Sequence, residues 1–401
     1  MNYISKVVKN YPVDGIRHMS KVAESYQRSG IRVMFDLAVQ YHDLINFGVG
    51  EPNFETPNHI KESAKKAIDK GFTHYEPNAG ILGLRQAIAC KYKREFGYEC
   101  TTENVMITIG GTEANFLTLM TIINPGDEVI ITNPHYPSYF GHIKLVGGKV
   151  VLVPVYEENE FKLMPEDLEK AITPKTKAIF LNYPNNPIGA VLTKEDFEAL
   201  AKVVKKYDLM VISDEVYEKI YFDGYTHFSM SQIPEVRDNI LITNSFSKTY
   251  AMTGWRIGYI VGDKKIISQM QKIQEGIVSC VPGFIQKAAI DAINGPQDVV
   301  GQMVVDYTRR RDILIDGINM IPGIKCMKSP GSIYAFPNIK SFGKKSVDFA
   351  MELLKEAGVV VVPGSAFGSR GEGYLRFCFA LSDENLREGV RRIAEYVKKN
   401  Y

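Results

Sequence analysis

From residue 105 onward the chain keeps one rhythm: short β-rich apolar runs recur, several of them separated by amphipathic stretches. No other feature constrains the fold as strongly. The runs are VMITI at 105–109, EVIIT at 128–132, VVLVPV at 150–155, AIFLN at 178–182, LMVIS at 209–213, ILITN at 240–244 and IGYIV at 257–261. Between two of them, residues 193–206 place Phe197, Leu200, Ala201 and Val204 at helical spacing. Near-continuous apolar strands alternating with helices imply an α/β fold, a mostly parallel sheet covered on both faces. In such a sheet the ligand sits beyond the carboxyl ends of the strands, so the polar residues that follow each run are the candidates for chemistry.

After residue 290 the pattern changes. A long charged helix candidate at 302–319 precedes GSIYAFP, a helix near 347–357, VVVVPG, YLRFCFA and a last helix, which reads as a smaller α+β domain. The expected division is an amino-terminal arm with part of the small domain at 1–46, a large domain at 47–290 and the small domain at 291–401. A length of 401 residues allows this, since a domain takes about 150. The balance of 48 Lys plus Arg against 46 Asp plus Glu leaves +2, which argues against a protein that coats nucleic acid or an anionic membrane. Five scattered cysteines without a CxxC pair suggest neither a disulfide framework nor a zinc site. Seven histidines show no HxxxH or HxH spacing, so no metal is expected. Neither a signal-peptide core nor an apolar run of about 18 residues occurs, and a cytoplasmic protein is expected.

The most telling segment is SFSKTYAMTGWRIGY at 245–259, directly after ILITN. A lysine there stands at the mouth of the cleft, where partial burial and nearby cations lower its pKa and make it an amine nucleophile toward an aldehyde. Ser245 and Ser247 before it and Arg256 after it are suited to a phosphate, the arginine by a bidentate contact. Taken alone, Ser-x-Ser-Lys is more often a solvated loop. The other strand ends change the balance: LMVIS runs into Asp214 and Tyr217, AIFLN into YPNNPIG with Asn186, and VMITI into Gly111 and Thr112 at a helix start whose free amides favour a phosphate.

The pieces VGEPNFETP, THYEPNAGILGLRQAIA, GGTEA, NPGDEVIITNPHYPSY, NYPNNPIGAVL, SDEVY, SFSKTYAMTGWRIGY, GSIYAF, VVVVPGSAFG and YLRFCFA follow in that order. Over nearly its whole length the chain thus resembles the class I pyridoxal-phosphate (PLP) aminotransferases. It is most similar to the bacterial and archaeal branch that includes aspartate, aromatic and N-acetyl-diaminopimelate aminotransferases. The resemblance implies fold type I of the PLP-dependent transferases, with a mostly parallel seven-stranded sheet covered by helices and a smaller α+β domain. It assigns Lys248 to the internal aldimine and the subsequent proton transfer, and Asp214 to the pyridinium nitrogen. Tyr217 and Asn186 fall to the ring 3-oxygen, and Tyr136 to stacking on the ring. Gly111, Thr112, Ser245, Ser247 and Arg256 fall to the phosphate. Arg376 matches the arginine that grips the substrate α-carboxylate, and Gly50 a glycine whose backbone approaches the substrate. Tyr75 matches a tyrosine that reaches the phosphate of a neighbouring subunit, which implies a homodimer with shared sites.

The implied activity is transfer of an amino group from an L-amino acid to a 2-oxoacid, 2-oxoglutarate being the expected acceptor. Ile188 stands where the family commonly has Thr. The places where dicarboxylate-specific members carry a second cation correspond to Thr112 and Glu275, and neither is cationic. Arg17 or Arg32 from the amino-terminal segment is the expected substitute, and the SGIR run at 29–32 resembles a segment that closes over the substrate. Two alternatives share the cofactor contacts: a carbon–sulfur lyase on the same scaffold, and a non-catalytic PLP sensor. A sensor usually carries a DNA-binding domain ahead of this part, and the segment before VGEPNF is short for one.

Overall fold

The computed structural model describes residues 18–26, 28 and 30–401. Its strands are β1 (Ile45–Asn46), β2 (Val105–Thr108), β3 (Glu128–Asn133), β4 (Lys149–Pro154), β5 (Thr176–Asn182), β6 (Met210–Asp214), β7 (Ile240–Ser245) and β8 (Gly258–Val261), followed by β9 (Tyr334–Ala335), β10 (Val359–Val360), β11 (Val362–Pro363) and β12 (Leu375–Cys378). Seven of them form one sheet in the order β2-β8-β7-β6-β5-β3-β4. Six run parallel, and β8 lies antiparallel to both its neighbours, β2 and β7. All seven apolar runs therefore become the strands of one sheet. Side chains are buried on both faces along most of β5, β6 and β7 and throughout the edge strand β2, which is why periodicity of two is absent from them.

Helices cover the sheet. Helix Gly110–Ile122 packs on β7 and β8, and helix Lys264–Ile277 packs on it in turn. The expected helix at 193–206 runs Lys194–Tyr207. Thr193 is its cap, with a reciprocal pair of bonds between Thr193 and Asp196 that satisfies two helix-start amides.

The second part of the molecule is built on β9, β11 and β12, an antiparallel sheet in the order β11-β12-β9, with β1 and β10 paired beside it. The Cys378 amide donates to the Phe47 carbonyl at 2.8 Å, so the chain just before the large sheet is bound to strand β12. Residue 290, the expected boundary, falls inside helix Gly283–Asn294, and the first break is Gly295-Pro296-Gln297 before helix Asp298–Asn319. No helix among the described residues is long and apolar enough to cross a membrane.

Candidate active site

A cavity of about 320 Å³ opens at the carboxyl edge of the large sheet. It is lined by the ends of β5, β6 and β7, the start of helix Gly110–Ile122, the segment 49–51 and the side chains of Tyr334 and Arg376 from the second part. Twelve of the thirteen residues singled out from the sequence line it: Gly50, Gly111, Thr112, Tyr136, Asn186, Asp214, Tyr217, Ser245, Ser247, Lys248, Arg256 and Arg376. Tyr75 does not. It is 90% exposed, beside a separate surface hollow formed with Cys280, Pro282 and Phe284.

Lys248 sits in the short helix Phe246–Thr249, where the Ser247 amide donates to the Ser245 hydroxyl. Its Nζ donates to the Gly50 carbonyl. Burial lowers the Lys248 pKa to about 8; Arg376 and Arg256 push it the same way, against Cys378 and Glu51. Asp214 ends β6 and is buried, with Oδ2 accepting from Asn115 Nδ2 and the Tyr139 hydroxyl, both at 2.8 Å. Burial raises its pKa while these two donors and the Val216 amide oppose the rise, so a cation facing it would restore the carboxylate. The Tyr217 hydroxyl lies 3.0 Å from that of Tyr334, and burial holds its pKa well above the usual phenol range.

At one end of the cavity the amino terminus of helix Gly110–Ile122 meets Ser245 and Arg256. A Cβ on Gly110 would come within 2.6 Å of Arg256 Nη2, and one on Gly111 within 3.6 Å of Ser245 Cβ. At Gly110 a side chain would displace the guanidinium, whereas at Gly111 it would make an ordinary contact. At the other end Arg376 is buried, its Nη2 donating to the Gly48 carbonyl at 2.6 Å and Nη1 to Asn186 Oδ1 at 3.3 Å. Its Nε is a buried donor without a partner, which an anion bound beside the guanidinium would satisfy. The guanidinium packs on the Tyr334 ring at 4.6 Å.

Among the lining residues given no role from the sequence, Asn115, Tyr139, Asn182 and Tyr334 make polar or ring contacts with the predicted ones. Asn182 binds the Asp214 carbonyl through Nδ2 at 3.0 Å and the Asn186 amide through Oδ1 at 3.0 Å. Its place as the last residue of AIFLN was the available signal. The expectations for a distal cation fare differently. Arg17 and Ser29 lie outside the described residues. Arg32 does not line the cavity; its side chain is 68% exposed and 3.4 Å from Asp36. Instead Ile31 and Phe35 of helix Gly30–Ala38 form that wall. Glu275 is exposed, accepts from Asn78 Nδ2 at 3.0 Å and is also not part of the lining.

The family model described as aminotransferase class I and II matches residues 42–393. The chain belongs to the class I and II aminotransferase family. An aromatic-amino-acid aminotransferase 2 from Thermococcus litoralis is 43% identical over 91% of this chain and 94% of that protein. An aspartate aminotransferase from Pyrococcus horikoshii is 42% identical over 89% of this chain and 91% of that protein. The crystal structure of an aromatic aminotransferase from the same organism superposes with a TM-score of 0.88 at 42% identity, covering 92% of this chain and 99% of that one. This aminotransferase is therefore an enzyme of amino-group transfer with pyridoxal 5'-phosphate as its cofactor, and the lyase and sensor alternatives are not favoured. The cavity fits that cofactor: an amine of lowered pKa, a buried carboxylate, an aromatic ring, and an amide-rich helix start beside a guanidinium are the partners an aldehyde, a ring nitrogen, a π-face and a phosphate require.

Proposed function

We propose that this aminotransferase takes its amino group from an L-amino acid with an apolar, aromatic-sized side chain and delivers it to 2-oxoglutarate. The observation that carries the donor class is the apolar part of the cavity lining: Ile31, Phe35 and Val49 contribute to it, and Arg32 does not line it.

When bound, PLP supplies an electron sink for the substrate α-carbon. The remaining work belongs to this chain. Lys248 would provide the amine that holds the cofactor aldehyde and would serve as the base and acid for the substrate α-proton. Asp214, fixed by Asn115 and Tyr139, faces the ring nitrogen and keeps its proton on. Tyr217 and Asn186 donate to the ring 3-oxygen, and Tyr136 covers the ring. Gly111, Thr112, Ser245, Ser247 and Arg256 bind the phosphate. Arg376 presents a planar fork to the α-carboxylate, its orientation set by Gly48 and Asn186. The Gly50 backbone closes against the substrate; a Cβ there would come within 2.4 Å of the Tyr334 hydroxyl.

The working unit in this reading is a cytoplasmic homodimer with Tyr75 reaching the neighbouring phosphate site. Two surface hollows that share Phe284, together with exposed Tyr75, Leu82 and Ile68, support such a contact. Residues 1–46 would make an amino-terminal arm with part of the small domain, 47–290 the large domain and 291–401 the small one, and the nearest break between helices is Gly295–Gln297. A donor panel tests the function: with 2-oxoglutarate as acceptor, phenylalanine and tyrosine convert the cofactor to its amine form faster than aspartate, and Lys248→Ala abolishes turnover. Faster conversion by aspartate would overturn the donor class, and full turnover by Lys248→Ala would overturn the whole reading.

A further inference from the structure

Behind the turn that presents Asp214 and Tyr217 lies a second group of ionisable side chains with no part in the chemistry above. Glu215 and Glu218 alternate with Asp214 and Tyr217 along the chain, yet neither lines the cavity, and they are 2% and 5% exposed. Lys91 of helix Leu82–Phe96 is equally buried and places Nζ 2.7 Å from both oxygens of Glu218 and 3.3 Å from the Tyr259 hydroxyl. Glu215 Oε1 accepts from the hydroxyls of Ser213 at 3.0 Å and Ser229 at 2.8 Å. Its Oε2 lies 3.0 Å from His227 Nε2, and His227 Nδ1 lies 2.9 Å from the Tyr221 hydroxyl. Glu95 stands at the edge of the group, 3.9 Å from Lys91.

Ligand-type atoms of Glu215, Glu218 and His227 all lie within 4.8 Å of one another, a spacing a metal ion could use. The Lys91 ammonium already spans both Glu218 oxygens, so the cluster carries its own cation. We propose that Lys91 and Glu218, seconded by the Glu215–His227–Ser229 clamp, are positioning residues for the cofactor: they hold the 214–218 turn from behind so that Asp214 and Tyr217 meet the ring. The inference rests on the roles read above for those two residues.

This turn is held from each side: towards the cavity, Asn115, Tyr139 and Asn182 bind Asp214, and Tyr334 meets Tyr217. The β6 ladder ends at Asp214, and beyond it the backbone keeps the bonds from the Glu215 amide to the Thr243 carbonyl, from Glu218 to Glu215 and from Ile220 to Tyr217. Behind the turn the side-chain anchors run to helix Leu82–Phe96 through Lys91, to β8 through Tyr259, and to the 227–229 segment through His227 and Ser229. A buried ion pair adds little net stability compared with apolar replacements, but removing one partner leaves a charge in the core that must be neutralised or drawn toward water. Here the displaced charge would pull the backbone one residue from Tyr217. Tyr259 also faces Asn244 in the β7–β8 ladder, next to Ser245, so the same cluster touches the strand that ends at the phosphate site.

The test uses the PLP-loaded enzyme and the variants Lys91→Met, Glu218→Gln and the two combined. Each single variant is expected to weaken PLP binding by about tenfold or more and to move the pH at which the bound cofactor's visible absorption changes; the double variant, which leaves neither member of the ion pair behind as an unpaired charge, recovers most of that loss. If Lys91→Met does not fold, Glu218→Gln alone decides, because it removes a charge and no atom. Singles that lower Tm while PLP affinity and absorption stay at wild-type values would show a purely structural pair and overturn the proposal. Asp214→Ala is the control: if it too binds PLP normally with unchanged absorption, the reading of the site fails instead, and if it is impaired while the singles are not, only this inference fails.

Discussion

At the residue scale, the position of Lys248 decides how fast the enzyme can take up its cofactor. An ordinary lysine is charged throughout the physiological range, whereas Lys248 at about 8 has a substantial free-amine fraction there. The sign is that of a cation disfavoured by burial: as pH rises through about 8 the proton leaves, and the nucleophilic form accumulates. Attachment of PLP to the apoenzyme, followed by stopped-flow absorbance, should therefore accelerate about tenfold per unit below that pH and level off above it. A rate still climbing beyond pH 10 would show a lysine of ordinary basicity. Lys248, Asp214 and Arg376 were legible in the sequence because each follows or occupies a strand within a distinctive run. Asn115, Tyr139 and Tyr334 were not. They come from three separate elements, and their shared business with Asp214, Tyr217 and Arg376 exists only after the sheet and the second part have packed together.

At the scale of elements, two helices show why local sequence reads unevenly. In helix Gly30–Ala38, Ile31 and Phe35 are four apart and turn to the cavity, while Arg32 and Asp36 are four apart and turn to water. Composition made Arg32 an attractive ligand; the helical face it occupies makes it an ion-pair partner. Helix Gly110–Ile122 begins with a glycine at φ +73, a conformation costly for any residue with a Cβ. Gly110→Ala would add that strain and push Arg256 Nη2 aside, so PLP affinity measured by equilibrium dialysis should fall about tenfold. Unchanged affinity in a folded variant would mean that Arg256 does not serve the phosphate. The strands were the most legible elements because burial on both faces demands unbroken apolar runs. The start of helix Asp298–Asn319, four residues before the expected 302, was less so because its first turn mixes Asp, Val and Gly.

On the scale of the whole molecule, the shared sites proposed above make a prediction that no single chain can satisfy. Lys248→Ala and Tyr75→Ala should each depress activity, the first completely and the second through weaker PLP binding. When the two variants are unfolded, mixed and refolded together, mixed dimers would contain one site with both an intact Lys248 and an intact Tyr75, and activity should exceed the sum of the two alone. Activity equal to that sum would place Tyr75 outside its neighbour's site. One topological detail bears on how such an enzyme diversifies. Because β8 runs against its neighbours, the connection from β7 to β8 begins and ends on the same edge of the sheet, and it carries both Lys248 and Arg256. The attachment point and the phosphate anchor therefore travel as one inherited block, seated on the most deeply packed strands. In the proposed reading, part of the wall that meets the substrate side chain belongs to helix Gly30–Ala38. Donor preference can be rewritten there, one exposed turn at a time, while the catalytic block is left untouched.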